Sequence, residues 1–178
     1  MKKFNRCSGF VYHKDTDSAY QSFHQSFADH AKANLIGYNY SITRENYVRS
    51  LINEVKETEI RKTVTDLTQF HNRYFKSQTG VQALEWLKNK WTNLTKDRND
   101  VSLSYFRHDG WPQPSLILTI KGKSQPDDIV VIGGHADSIA GFWNRENARA
   151  PGADDNASGI ATITEVLRLL VLGNYQPS

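Results

Sequence analysis

Cysteine is nearly absent from this chain of 178 residues, since Cys7 is the only one. A single cysteine can form neither an internal disulfide nor a cluster of thiolate metal ligands, so the fold cannot depend on either. No stretch approaches the roughly 18 consecutive apolar residues of a membrane-spanning helix. The N-terminal residues also lack the apolar segment of about 7–15 residues that a secretory signal requires. The sequence therefore predicts no membrane partner and no export signal.

A strong excess of charge is also missing, because the formal net charge is only +3. Lysine and arginine are scattered along the chain, whereas a nucleic-acid-binding surface concentrates them on one face. The sequence therefore argues against a nucleic-acid partner. What remains is the composition of a globular protein, with 38% hydrophobic and 23% charged residues.

Apolar residues recur at intervals of three and four along the first half of the chain, which is typical of helices. Residues 41–70 predict either one long helix or two helices separated by a break near Glu57. Residues 80–95 predict a further helix, and a last one is expected over residues 154–170.

Three strands are expected between these helices, in VSLSYFRHD (101–109), SLILTIKG (115–122) and DIVVIGGH (128–135). The segment DGWPQP between the first two indicates a turn. The third strand is apolar throughout, which predicts burial on both faces of a sheet. Because a loop and a helix follow it directly, it resembles the first half of a parallel βαβ unit. The order of elements thus predicts an α/β fold.

Polar residues follow the third predicted strand, at the end where open α/β sheets bind ligands. His135 ends this strand, and Gly133–Gly134 before it leave room for a neighbouring group. Asp137 can orient the imidazole through a hydrogen bond or bind a metal itself. The pair Asp154–Asp155 lies at the start of the last helix. Imidazole and carboxylate together suit zinc or another first-row metal, so the pattern predicts a metal site.

Each of these residues alone also has a purely structural interpretation. His135 can be a buried histidine with a satisfied hydrogen bond. One aspartate of the pair can simply cap the helix, since the free N–H groups and the helix dipole favour a carboxylate there. The joint pattern favours the metal site, because all of these groups converge on one side of the expected sheet.

The stretches VVIGGHADS (130–138) and APGADDNASGIATITEVLRLL (150–170) resemble the bacterial leucyl-type zinc aminopeptidases of the M28 metallopeptidase family. The stretch LTQFHNRYFKSQTGVQALEWLKNKW (67–91) is similar to the first helices of that family, and the likeness covers roughly residues 60–178. The resemblance implies an incomplete three-layer α/β/α zinc-peptidase fold with a mixed, mostly buried sheet.

The resemblance also implies roles for three residues. His135 would be a terminal ligand of one zinc ion, Asp155 would bridge two zinc ions, and Asp137 would be the catalytic residue that orients His135. Two neighbouring cations need an anionic bridge, and together they acidify a shared water and polarise the scissile carbonyl. Members of the family release amino acids, often large and apolar ones, so the implied partners are peptides with free N-termini.

The ligand set that the family implies is incomplete in these residues. The family pattern continues with an adjacent pair of glutamates, one of them the general base, and with a later aspartate and histidine. Beyond Asp155 the chain contains one acidic residue, Glu165, and no histidine. The resemblance therefore implies partial zinc binding at most. Two interpretations follow: an inactive, truncated aminopeptidase, or a non-catalytic fragment that binds a metal or a partner.

The resemblance also divides the chain. Residues 1–40 are expected to be an N-terminal extension or pro-region remnant. Residues 41–178 are expected to be the N-terminal portion of an M28-type peptidase domain, truncated at its C-terminus. Proteins similar to this one are typically secreted, whereas a signal is missing from this N-terminus, so the localisation stays open.

Overall fold

The computed structural model describes residues 43–127, 129–141 and 143–177. Over these ranges the chain forms four α-helices and one two-stranded sheet. In chain order they are α1 (Glu45–Ile52), α2 (Glu57–Thr68), α3 (Gln78–Leu94), β1 (Val101–His108), β2 (Trp111–Ile120) and α4 (Ser158–Leu172). The α/β class predicted from the sequence is confirmed. The predicted N-terminal extension lies outside the described residues, and its separation from the rest stays a prediction.

Two helices, not one, fill the first helical stretch. The chain leaves α1 through a turn in which the Glu54 N–H donates to Leu51 O at 3.0 Å. The backbone N–H of Lys56 then donates to Glu165 Oε1 in α4, at 2.8 Å. Arg168, also in α4, donates to the carbonyl of Glu54. The break near Glu57 is thus fixed by polar contacts with the last helix.

Helix α3 begins at a side-chain cap. Ser77 Oγ accepts the N–H of Gly80 at 2.9 Å, which satisfies one of the free donors of the first helical turn. A Cβ on Gly80 would lie 2.1 Å from the carbonyl oxygen of Tyr74, so only glycine fits at this position. The Ser and Gly of SQTG therefore mark the start of the helix.

The sheet is an antiparallel hairpin in which Val101 pairs with Ile120 and His108 with Trp111. Its turn is shorter than the sequence predicted, because β2 begins at Trp111 and not at residue 115. Gly110 adopts a positive φ of 74°, which permits the chain to reverse within two residues. The remaining residues of DGWPQP therefore belong to the strand.

The third predicted strand is not part of this sheet. Residues 129–135 have no strand assignment, and Ile129, Val130, Val131 and Ile132 are 79%, 90%, 83% and 63% exposed. The expectation of burial on both faces was therefore wrong for the described residues. An apolar strand is buried only when neighbouring strands and covering helices surround it. The sheet among the described residues contains β1 and β2 alone.

The hydrophobic core lies between the helices and one face of the hairpin. Trp91 of α3 is 7% exposed, and its indole N–H donates to Thr164 Oγ1 of α4 at 3.0 Å. This bond satisfies the only polar atom of a large buried side chain. The buried members of the core are Leu67, Leu84, Leu87, Trp91, Ala157, Ile160 and Leu167. The last helix thus contributes Ile160 and Leu167 to this core.

Glu165 makes this packing sensitive to acid. Hydrogen bonds from the Arg168 guanidinium hold the pKa of the Glu165 carboxyl below its ordinary value. A carboxyl with a lowered pKa in the folded chain stabilises it above the unfolded pKa of about 4.3, and that contribution is lost as pH falls. We therefore expect Glu165→Gln to have a lower melting temperature than the unsubstituted chain at pH 7, and a smaller loss on acidification from pH 5 to 3.

The control for this pH prediction is Glu57→Gln. Glu57 also pairs with an arginine on its own helix, but both side chains are exposed, at 65% and 75%. An exposed pair of this kind contributes little to stability. If the melting temperatures of the unsubstituted chain and of Glu165→Gln fall equally between pH 5 and pH 3, Glu165 does not stabilise the fold in this way.

Candidate functional site

His135 lies at the end of segment 129–135, which is neither helix nor strand, and next to the start of α4. A Cβ on Gly134 would lie 3.2 Å from Asn156 Nδ2 and 3.2 Å from Ile163 Cδ1. A Cβ on Gly133 would meet nothing within 4 Å. The close approach predicted for the glycine pair therefore depends on Gly134 alone.

The structure brings together the three residues that the sequence singled out. His135 Nδ1 lies 3.1 Å from Asp137 Oδ1 and 3.2 Å from the Asp137 carbonyl oxygen. On the other side of the ring, Nε2 lies 2.9 Å from Asp155 Oδ1. The side chains are 45%, 35% and 39% exposed for His135, Asp137 and Asp155, so the group is open to solvent. His135 is therefore not the buried histidine of the alternative interpretation.

Acceptors lie beside both nitrogens of the imidazole. A neutral imidazole carries one N–H, and an ionised carboxylate can only accept hydrogen bonds. Asp137 Oδ1 lies beside Nδ1 and Asp155 Oδ1 lies beside Nε2, so a single N–H can serve only one of the two carboxylates. With the N–H on Nδ1, the lone pair of Nε2 faces Asp155, and a cation between these two atoms would stabilise the arrangement.

The turn before α4 presents Asp155. Gly152 opens it in the left-handed region, with φ 53° and ψ 47°, and Asp155 itself is extended, with φ −117° and ψ 89°. The Asp155–Asn156 peptide bond is cis. Asn156 Oδ1 accepts the N–H of Gly159 at 3.0 Å and so caps the first turn of the helix. This capping bond comes from Asn156, a residue for which the sequence predicted no role.

The donor set fits two ligands of a zinc ion. With zinc–ligand bonds of about 2.0–2.2 Å, two ligands of one tetrahedral ion lie about 3.4 Å apart. His135 Nε2 and Asp155 Oδ1 are 2.9 Å apart, so a small displacement would accommodate the ion. Within the described ranges, no group of three or more His, Cys, Asp or Glu side chains could hold a metal. Glu165 is 5% exposed and paired with Arg168, which removes it as a further ligand.

Sequence reasoning missed the residues that hold this site together. Arg73 is 1% exposed, and its guanidinium donates to carbonyl groups on both sides of the site. Asn72 is fully buried, and its amide donates to the carbonyls of Glu146 and Ala148 at 2.8 and 3.0 Å. A basic residue beside an asparagine in a short connection between two helices was the available signal. Its burial is visible only in the folded chain.

A cavity of about 430 Å³ adjoins His135 on the side of β2 and α3. Aromatic and aliphatic side chains line much of it. They include Phe75, Trp111, Leu116, Ile132 and Ile163. Trp143 is 90% exposed and is not part of this lining. Its neighbour Phe142 lies outside the described residues.

The difference between the two glycines gives a matched test. Gly134→Ala is expected to be less stable than Gly133→Ala by about 1 kcal/mol, because its Cβ presses on Asn156 and Ile163. Both substitutions lower the conformational entropy of the unfolded chain. This stabilising contribution cancels when the two free energies of unfolding are compared. Urea unfolding followed by circular dichroism measures the difference. Equal stabilities would show that α4 does not pack closely against this backbone.

Comparisons with known proteins agree on one relationship. Residues 115–178 match the model of peptidase family M28. The chain is 38% identical over 136 residues to a probable aminopeptidase of Saccharomyces cerevisiae, covering 74% of this chain and 36% of the relative. It is 41% identical over 130 residues to leucine aminopeptidase 1 of Colletotrichum graminicola, covering 71% and 31%.

Solved structures give the same result. The crystal structure of LapB from Legionella pneumophila superimposes with a TM-score of 0.64 at 32% identity, covering 78% of this chain and 36% of that one. The LapA aminopeptidase of the same organism matches with a TM-score of 0.64 at 30% identity, covering 78% and 35%. The chain thus spans about one third of the length of the relatives that it matches. In the described part of the chain, no helix has the length and apolar character to cross a membrane.

Proposed function

We propose, on the premise that this chain carries part of an M28 peptidase domain, that it contributes a pair of zinc ligands to an aminopeptidase. The family resemblance predicted from the sequence is confirmed, and it implies a zinc-dependent hydrolase. The proposed reaction is removal of N-terminal amino acids from peptides with free N-termini. His135 is proposed as a terminal zinc ligand, Asp155 as the ligand that bridges two zinc ions, and Asp137 as the residue that orients His135.

One observation carries this proposal: His135 Nε2 and Asp155 Oδ1 face each other at 2.9 Å while Asp137 engages the other ring nitrogen. A histidine ligand of a metal commonly donates its second ring N–H to a carboxylate or a carbonyl. Asp137 offers both, through Oδ1 and its backbone oxygen. The group therefore has the donor arrangement of a metal ligand and its supporting acceptor.

In the proposed reaction, bound zinc would acidify a water molecule and polarise the scissile carbonyl. The chain's own residues have simpler tasks. Asp137 would accept the N–H of His135 Nδ1, which orients the imidazole and leaves the Nε2 lone pair available to a metal ion. Asp155 would supply the anionic ligand opposite His135. The cavity beside His135 offers apolar walls to a bound side chain.

Hydrolysis of leucyl-p-nitroanilide by the purified 178-residue chain with added zinc tests the completeness of the site. We expect no turnover, because the described residues hold too few ligands and no candidate general base beside His135. Chelator-sensitive turnover that disappears in His135→Ala would show that these residues form a complete catalytic site. The substrate is chosen because relatives are named leucine aminopeptidases.

Zinc binding tests the ligand pair separately from catalysis. Asp155→Asn is expected to weaken zinc binding at least 10-fold, because an amide replaces an anionic ligand. The neighbouring Asp154→Asn is the matched control, with the same change of charge one position away, and is expected to change binding less than 3-fold. Isothermal titration calorimetry measures both. If Asp155→Asn and Asp154→Asn weaken zinc binding equally, the two aspartates act only through their negative charge.

The exposed apolar run Ile129–Ile132 favours the second candidate function, a non-catalytic fragment that binds a metal or a partner protein. Apolar runs exposed to this extent are uncommon on isolated globular proteins and are typical of interaction surfaces. The two candidates separate on the hydrolysis and titration experiments together. Zinc binding without turnover in the chain alone, and also in a longer chain that contains the family's remaining ligands, would favour the non-catalytic role.

A further inference from the structure

We propose that Arg73 is a positioning residue that sets the spacing between His135 and Asp155 by binding the two backbone segments that carry them. The link to zinc rests on the function proposed above. The positioning itself is a property of the metal-free chain. Arg73 has no role in the sequence-based interpretation, where the surrounding HNRYFKSQTG lies between two helices.

The contacts of the Arg73 guanidinium reach both halves of the site. Nε donates to the carbonyl of Ala136 at 2.9 Å, and Ala136 lies between His135 and Asp137. Nη2 donates to the carbonyl of Gly152 at 2.9 Å, and Nη1 donates to that of Pro151. These two residues open the turn that presents Asp155. One side chain is therefore bonded to the segment before the loop and to the segment after it.

The same guanidinium is also anchored to the helical part of the fold. Nη1 donates to the carbonyl of Leu67, a core residue near the end of α2, at 3.2 Å. The backbone N–H of Arg73 donates to Ser138 Oγ at 2.9 Å, and Ser138 Oγ donates to the carbonyl of Ala150 at 2.6 Å. Both halves of the site are thus fixed to α2 as well as to each other.

The turn is shaped closely around this side chain. A Cβ on Gly152 would lie 2.7 Å from Arg73 Nη2 and 2.6 Å from Ser138 Cβ. A side chain at position 152 would therefore have to displace the guanidinium or Ser138. The positive φ of Gly152 directs its carbonyl to Arg73 without a side chain in the way.

The electrostatics favour a cation at this buried position. Burial lowers the pKa of the Arg73 guanidinium, and the negative charges of Asp137 and Asp155 oppose that effect. The two site carboxylates therefore offset part of the cost of burying the charge. In return, the guanidinium keeps the segments that carry these carboxylates together.

Lysine cannot replace arginine in this role. Arginine presents five N–H donors in a rigid planar fork, whereas lysine presents a compact ammonium with three donors. The fork of Arg73 serves carbonyls at Leu67, Ala136, Pro151 and Gly152, which lie in different directions. We expect Arg73→Lys to keep the charge and still release at least one of the two segments.

Charge and positioning predict opposite effects on zinc binding, which makes the proposal testable. Removing a nearby positive charge by Arg73→Met would strengthen zinc binding if only charge mattered. If Arg73 positions the ligands, both Arg73→Met and Arg73→Lys weaken zinc binding by about 10–100-fold, the range typical of residues that orient metal ligands. Tighter zinc binding in Arg73→Met, or unchanged binding in Arg73→Lys, would overturn the proposal.

Hydrogen exchange of the zinc-free chain keeps this test separate from the proposed function. Arg73→Lys is expected to speed amide exchange at least 10-fold in residues 135–138 and 152–157, with α3 unchanged as evidence of folding. Arg149→Met is the matched control, since Arg149 donates to the carbonyls of Phe70 and Thr68 from an exposed position. Its exchange in the two segments is expected to match that of the unsubstituted chain.

A second variant decides the case in which substitutions of Arg73 prevent folding. Ser138→Ala leaves the guanidinium in place and removes the acceptor of the Arg73 N–H. It is expected to speed exchange in residues 150–157 with α3 still protected. Unchanged exchange in every folded variant would overturn the positioning role. Faster exchange in a chain that binds no zinc would retain the positioning role and refute the metal site.

Discussion

Gly152→Ala is expected to lower the free energy of unfolding by about 2–4 kcal/mol. Two costs combine. Gly152 has a φ of 53°, a backbone conformation that L side chains rarely adopt. The added Cβ would also lie 2.6 Å from Asp155 O, 2.6 Å from Ser138 Cβ and 2.7 Å from Arg73 Nη2.

Gly141→Ala is the matched control for Gly152→Ala. Gly141 has a similar φ of 64°, but a Cβ there would meet nothing within 4 Å. This variant therefore carries only the conformational cost, about 1 kcal/mol. Urea unfolding of the two variants measures the steric part as their difference. Equal destabilisation would contradict the close packing of the turn around Arg73.

Leu87→Ala is expected to destabilise the chain by about 2–5 kcal/mol, because it leaves a cavity between α3, α4 and the hairpin. Leu87 is 2% exposed and belongs to the same core as Trp91 and Ile160. Leu172→Ala is the matched control, since Leu172 is also helical but is 55% exposed. Its expected effect is within about 0.5 kcal/mol. Similar losses in both variants would mean that the core described here does not dominate stability.

The local elements follow from the sequence to a large extent. Spacings of three and four residues predict the helices, and alternation predicts both strands of the hairpin, because these patterns are set within each element. The turn between β1 and β2 was predicted too long, because prolines at Pro112 and Pro114 suggested a break. An edge strand tolerates proline where no ladder hydrogen bond is needed. Local sequence patterns therefore predicted which elements form more accurately than they predicted where each element begins and ends.

The third predicted strand could not be judged from local sequence patterns alone. The run Ile129–Ile132 has the composition of a buried strand, yet these side chains are largely exposed. Composition reports how well a segment suits burial, whereas burial itself requires other segments to surround it. The described residues supply a hairpin that does not pair with this run.

The candidate site was predicted in part. His135, Asp137 and Asp155 lie together as the sequence predicted, although the segment before His135 is not a strand of the sheet. Arg73 was not predicted, because a buried arginine is rare and its partners are backbone carbonyls. Every residue has a backbone carbonyl, so no pattern of residue types could identify the four carbonyls that accept hydrogen bonds from the Arg73 guanidinium.

The most direct test of the metal site is nitrogen-15 NMR of the His135 imidazole during a zinc titration, with His135→Gln used to assign its signals. The structure predicts that zinc shifts the Nε2 resonance, while Nδ1 keeps its proton because Asp137 accepts it. Zinc that leaves both His135 resonances unchanged would contradict the proposed ligand role of His135, and zinc that replaces the proton on Nδ1 would contradict binding through Nε2.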